Sequence, residues 1–184
     1  FRRVLFRSKI SICLRQRLRL WGRRCACSII NKMECHKVDK VLDSAILSSA
    51  NKRKGILAIG AHPDDIELGC GASLARLAQK GIYIATVVMT TGNSGVDGII
   101  DRHEESRNAL KILGCHQTIH LNFADTRAHL QLNDMISALE NIIKNQIPSD
   151  VEIIRVYTMH DADRHQDHLA VYQASMVACR AIPQ

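Results

Sequence analysis

The chain has 184 residues, 46% of them hydrophobic and 23% charged, with a near-neutral mean hydropathy, which fits one globular domain. No run of 18 or more apolar residues occurs, so a membrane-spanning helix is excluded; Leu, Ile and Val recur regularly from Ile56 onward, so disorder throughout is excluded too. The net charge of +7 is unevenly spread: residues 1–32 carry ten Lys or Arg and no acid, whereas residues 33–184 carry fifteen basic and eighteen acidic side chains.

Residues 1–32 therefore stand apart as a basic segment that starts without Met. They read as sequence foreign to the natural protein, with Met33 as the natural start. A transit peptide and a basic arm for nucleic acid or an anionic membrane are the alternatives. Residues 33–54 form a polar lead-in with a short helical pattern at Val41, Leu42, Ile46 and Leu47, and the domain proper is expected over 55–184. The seven cysteines include no CxxC pair and are odd in number. They read as reduced thiols of a cytoplasmic protein rather than a disulfide framework.

Within the domain, Gly55–Gly60 is a short continuous apolar run, as expected of a parallel strand buried on both faces. Residues 61–67 follow as a polar loop, and Leu68–Lys80 as a helix closed by Gly81. A second buried strand spans Ile82–Met89, a Gly-rich loop spans 90–100, and a helix closed by Gly114 spans Asp101–Leu113. The loop has neither the dinucleotide nor the P-loop glycine spacing, so a nucleotide-binding reading is rejected. Thr118–Leu121 reads as a brief strand. Asn133–Asn145 is the clearest amphipathic helix, with Met135, Ile136, Leu139, Ile142 and Ile143 on one face. Val151–Thr158 is a strand, 160–168 a loop dense in His and Asp, and a final helix runs from about Gln166 to Ala181. The chain stops soon after, where an α/β domain ordinarily supplies another strand, and the sequence reads as cut short there.

This alternation of strand and helix predicts an α/β fold: a Rossmann-like open parallel sheet with helices on both faces and its last strand missing. In such sheets, ligands sit beyond the carboxyl ends of the strands. Two polar clusters follow strands directly: His62-Pro63-Asp64-Asp65-Ile66-Glu67 and His160-Asp161-Ala162-Asp163-Arg164-His165-Gln166-Asp167-His168. Brought to one sheet edge, they supply four imidazoles and up to six carboxylates. That mixture favours a divalent cation, with zinc preferred and ferrous iron as the alternative to it. Adjacent Asp64 and Asp65 cannot easily both face one ion, and spacing alone leaves His165 and His168 open as ligands.

The motif AHPDDIELGCG at 61–71, DRHQDH at 163–168 and the helix with Arg102, Glu105, Ala109 and Leu113-Gly114 resemble the LmbE-like or PIG-L family of zinc-dependent N-acetylglucosamine deacetylases. The resemblance runs from about Gly55 to Gln184. It implies His62, Asp65 and His168 as metal ligands, Asp64 as general base, and His165 as donor to the oxyanion, oriented by Asp167. Gln166 departs from the family's common Pro. Arg102 is implied in holding substrate or the active-site loop, with an ordinary surface ion pair to Glu105 as its plainer reading; Asp125 is implied in contacting the sugar, with an Asx-turn as its plainer role. His160 and Asp163 are expected near the metal or the sugar, with loop capping as the plainer alternative. The implied activity is removal of an acetyl group from an N-acetylglucosamine-containing small molecule or glycolipid by metal-activated water. The rivals are hydrolysis of a different N-acyl amine, and a catalytically inert metal-site protein whose basic N-terminal arm binds nucleic acid. On the favoured reading the partner is a small N-acetylated sugar and no nucleic acid is bound; a homo-oligomer is left open.

Overall fold

The computed structural model describes residues 52–95 and 101–182; the basic segment, most of the lead-in and residues 96–100 of the Gly-rich loop lie outside them. Four strands, β1 (Arg53–Gly60), β2 (Tyr83–Thr90), β3 (Gln117–Phe123) and β4 (Val151–Tyr157), form one parallel sheet in the order β3-β2-β1-β4. Four helices connect or follow them: α1 (Asp65–Gln79), α2 (Arg102–Ile112), α3 (Leu132–Asn141) and α4 (Gln166–Ala178). The expected Rossmann-like topology is what the chain adopts.

The sheet is buried on both sides because alternate residues of its central strands feed two cores. Leu57 and Ile59 of β1 and Ala85, Val87 and Met89 of β2 pack with Met135 and Leu139 of α3 and with Ala170, Val171 and Ala174 of α4. Ile56 and Ala58, with Ile84 and Val88, pack against Ile66, Leu74 and Leu77 of α1 and Leu110 of α2. Helices α1 and α2 therefore cover one face, and α3 and α4 the other.

Four elements depart from the sequence reading at their boundaries. Strand β1 starts at Arg53 rather than Gly55, inside the expected lead-in. Helix α1 starts at Asp65 rather than Leu68, so part of the first polar cluster is helical. Strand β3 is longer than Thr118–Leu121 at both ends. The amphipathic run after α3 loosens into a five-residue π-helical turn, Ile142–Gln146, ahead of Pro148. The apolar spacing continues through that turn, so periodicity gave no sign of the wider winding. Gly114 closes α2 with φ +83, and a Cβ there would meet Ala78 Cβ at 2.8 Å, so left-handed backbone and close packing both call for glycine.

The strand order places the topological switch between β1 and β4: successive crossovers carry the chain one way to β2 and β3, and the last returns it to the other side of β1. The crevice beyond the carboxyl ends of β1 and β4 is where such sheets bind ligands. Both polar clusters open into it.

Candidate metal centre

The first wall is the turn leaving β1. The Ala61 carbonyl accepts both the amide and the hydroxyl of buried Thr90, each at 2.8 Å, which pins the turn to the end of β2. Asp65, at the start of α1, folds its carboxylate back so that Oδ2 accepts the amides of Ala61 at 3.0 Å and His62 at 2.8 Å. Between them Asp64 has φ +123, far outside ordinary backbone for a residue with a Cβ. Strain of this kind costs about 1–3 kcal/mol and persists where surrounding bonds impose it. Arg102 at the start of α2 supplies those bonds. Its guanidinium donates to the Pro63 carbonyl at 2.7 Å, the Asp64 carboxylate at 2.9 Å and the Gly92 carbonyl at 3.0 Å. Gly92 lies so close that a Cβ would meet Pro63 Cδ at 2.6 Å, and its φ is +65. Arg102 thus bonds to both the turn before α1 and the loop after β2.

The second wall is the loop after β4 and the first turn of α4. His168 and His62, 106 residues apart in sequence, meet with His168 Nε2 at 3.3 Å from His62 Nδ1. Asp65 completes a triangle: Oδ2 is 3.4 Å from His62 Nδ1 and Oδ1 is 3.4 Å from His168 Nε2. Each imidazole is held from behind. Asp163 Oδ2 lies 2.9 Å from His168 Nδ1. His62 Nε2 lies 3.2 Å from both Asp125 Oδ1 and Asp167 Oδ2. Ionised carboxylates can only accept, so the outer nitrogens carry hydrogens; with a cation bound, the inner ones would present lone pairs to it.

Two inward nitrogens and both oxygens of Asp65 thus converge, a donor set that suits a cation. Zinc with ligands at about 2.0–2.1 Å in tetrahedral array has ligand-to-ligand edges of about 3.3–3.4 Å, matching the edge between the two histidine nitrogens, while Asp65 reaches them with different oxygens. Imidazoles backed by carboxylates are the usual setting of metal-ligating histidines. The donor set therefore fits zinc. Among the described residues, two groups of three have ligand atoms all within 4.8 Å of one another, both built on His62: His62, His165 and His168, and His62, Asp125 and Asp167. In the second, His62 Nε2 hydrogen-bonds to Asp167, Asp125 lies at the same distance, and both carboxylates are engaged by backbone amides.

The electrostatics carry the same mark. Burial disfavours charge at Asp65, yet His168 and His62 hold its carboxyl well below the usual range. At His168, burial is outweighed by Asp65 and Asp163, which raise it to about 9. Asp64 moves the other way: burial and the Asp65 charge raise it, with Arg102 offsetting part of the rise.

His165 stands beside the triangle, its ring centre 4.8 Å from that of His62 and 4.7 Å from that of His168. The expected orientation by Asp167 runs through the backbone: the Asp167 amide donates to His165 Nδ1 at 3.3 Å. The Asp167 carboxylate, fully buried, instead accepts the amides of Thr126 at 2.6 Å and Ala128 at 3.1 Å and faces His62. At His165, burial and the neighbouring His168 and His62 lower the pKa, against the pull of Asp167. With Nδ1 accepting, a neutral His165 carries its hydrogen on Nε2.

Asp125 and Asp163 serve the imidazoles, pairings that needed the fold to be seen. His160 engages its own loop, accepting the Ala162 amide at 2.9 Å. Ser94, unsuspected in the sequence, donates its amide to Asp125 Oδ2 at 2.9 Å.

A profile of the family described as PIG-L, GlcNAc-PI de-N-acetylase, matches residues 57–179, and the chain belongs to that family. It is 95% identical over 147 residues to the uncharacterized deacetylase YaiS of Escherichia coli K12, covering 80% of each chain. It is 28% identical to the diacetylchitobiose deacetylase of Thermococcus kodakarensis, over 73% of this chain and 54% of that one. Among solved structures it resembles the conserved protein TT1542 of Thermus thermophilus, with a TM-score of 0.57, 30% identity, and coverage of 70% of this chain and 58% of that one. The chain thus spans little more than half the length of the last two. The family and these relatives mark it as one of the deacetylases, enzymes that act on N-acetyl groups. Among the described residues, no helix is long and apolar enough to cross a membrane.

Proposed function

We propose that the chain is the core of a zinc-dependent hydrolase that removes the acetyl group from an N-acetylglucosamine-type sugar, with His62, Asp65 and His168 as the metal ligands. The observation that carries this reading is the 3.3 Å approach of the inward His62 and His168 nitrogens, with Asp65 oxygens 3.4 Å from each and a carboxylate behind each histidine. The diacetylchitobiose deacetylase among its relatives supports an acetylated amino sugar as substrate. The free Cys70, Cys115 and Cys179 suit a reducing compartment, the cytoplasm.

Zinc held by these three residues would supply Lewis acidity, polarising the acetyl carbonyl and acidifying water at neutral pH. Asp64 is the general base. Its pKa is raised toward the working range while Arg102 holds its carboxylate in place. It takes the proton of the attacking water as the oxygen bonds to the amide carbon. His165 donates Nε2–H to the carbonyl oxygen as negative charge grows there. The C–N bond then breaks, the proton on Asp64 passes to the departing nitrogen, and acetate and a free amine leave.

The test is metal analysis together with acetate release from a panel of N-acetylglucosaminides. Zinc at one equivalent and acetate release abolished by a chelator are expected. Acetate release undiminished after complete metal removal would overturn the reading.

A further inference from the structure

The first turn of α4 touches both histidines of the proposed centre. His168 is one of them. Asp167, the residue before it, reaches the other: its Oδ2 lies 3.2 Å from His62 Nε2, in a hydrogen bond between residues 105 apart. Asp125 Oδ1 lies equally near, but the hydrogen bond is made to Asp167. The Asp167 side chain is fully buried, and two backbone amides fix where it points. Oδ2 accepts the Thr126 amide at 2.6 Å and Oδ1 the Ala128 amide at 3.1 Å. A carboxylate also suits the first turn of a helix, where the free amide ends favour negative charge.

The neighbours of Asp167 show how its work is divided from theirs. Its contact with His165 is a backbone one, in which His165 Nδ1 accepts the Asp167 amide as the cap of α4. Gln166 donates from Nε2 to the Thr126 carbonyl, so the amide and the carbonyl of Thr126, a residue at φ +67, are both held by this one turn. Gln166 therefore anchors the 124–128 loop alone, whereas Asp167 anchors the loop and the imidazole together.

We propose that Asp167 is a positioning residue for the metal rather than for His165: it keeps the hydrogen on His62 Nε2, leaves Nδ1 to ligate, and ties that ring to the 124–128 loop. The inference rests on the zinc-site reading above and deepens it. A carboxylate acting through His165 changes turnover and leaves metal retention alone. A carboxylate that fixes a ligand's hydrogen and ring orientation changes metal retention before any substrate is present. Loss of such a partner typically weakens metal affinity about 10–100-fold.

The test compares wild type with Asp167→Ala, Asp167→Asn, Gln166→Ala and His165→Ala in the full chain. Zinc affinity is measured by chelator competition, and the His62 ring nitrogens and the Thr126 amide are followed by 15N NMR. Zinc affinity should fall about 10–100-fold in Asp167→Ala. Asp167→Asn should keep part of it, because the amide oxygen can still accept from Nε2–H. Gln166→Ala loosens the same loop without touching the imidazole and should bind zinc as wild type does. His165→Ala should do the same, since that ring is not among the three ligands. The His62 Nε2–H and Thr126 amide signals should both move in Asp167→Asn. If the alanine variant does not fold, the near-isosteric asparagine variant carries the test, with a smaller loss of affinity expected. Unchanged zinc affinity in folded Asp167→Asn, with kcat lowered and no further loss when His165→Ala is added, would assign Asp167 to His165 and overturn the inference while the zinc site stands. An equal loss of affinity in Gln166→Ala would reduce Asp167 to a loop anchor and overturn it as well. Failure of wild type itself to bind zinc would remove the site and the inference together.

Discussion

Asp64 and Asp65 are neighbours with opposite electrostatics and different surroundings. Asp65 is surrounded by amide donors and histidines that favour its charge. Asp64, forced to φ +123, is turned away toward Arg102 and half exposed. Asp64→Asn should therefore leave zinc bound while kcat falls about 10²–10⁴-fold, the usual worth of a general base, as read by metal analysis and acetate release. His168→Ala should instead lose the metal. The described cysteines give a different residue-scale expectation. Burial pushes the thiol of Cys70 up to about 12 and those of Cys115 and Cys179 to about 11. Thiolate is the reactive form, so all three should resist alkylation at a pH of about 8 in the native chain and react after denaturation, as peptide mapping by mass spectrometry would report. The residues proposed as ligands were nameable from the sequence because their types and order resemble a family signature. The partners of Asp125 and Asp167 were not, since which acceptor an Asp faces depends on loops brought together from distant parts of the chain.

Among the elements, α1 and α2 are joined at two points. Arg102 reaches the turn before α1, and the Ser106 hydroxyl donates to Glu67 Oε1 at 2.6 Å. Glu67 Oε2 is buried without a hydrogen-bond partner among the described residues, so this one bond is what its carboxylate receives there. Ser106→Ala should cost about 1–3 kcal/mol, read as a lower urea midpoint, because it strands a buried acceptor. Arg102→Lys should recover little of what Arg102→Ala loses in kcat, since an ammonium cannot serve three acceptors spread across two loops with a planar fork. Strand and helix types were readable from apolar period throughout the described domain. The boundaries that escaped were those set by something other than period. The Asp65 carboxylate binds back to the amides of Ala61 and His62, extending α1 into a stretch of polar residues. The π-helical turn at Ile142–Gln146 keeps its apolar face while the backbone widens.

For the molecule as a whole, zinc that binds only the folded chain adds stability by mass action, about 2.7 kcal/mol at a hundredfold excess over Kd. A chelator should therefore lower Tm, and restoring zinc should raise it in a concentration-dependent way. His168→Ala should show neither response. The overall topology was accessible to sequence reasoning because short apolar strands alternating with helices admit few arrangements, and right-handed crossovers reduce them further. What periodicity could not give was the order β3-β2-β1-β4, which decides that the turn after β1 and the loop after β4 are adjacent.

That adjacency has a kinetic side. The two histidines that face each other lie 106 residues apart, one following the first strand and the other opening the last helix. Closing so long a loop is slow compared with forming local helices or hairpins. The ion's cage therefore cannot exist until β4 has docked on β1, and a half-formed sheet has no means of capturing it. Refolding mixed with a zinc-responsive dye should report cation uptake as the final event, at the rate at which the native sheet is completed.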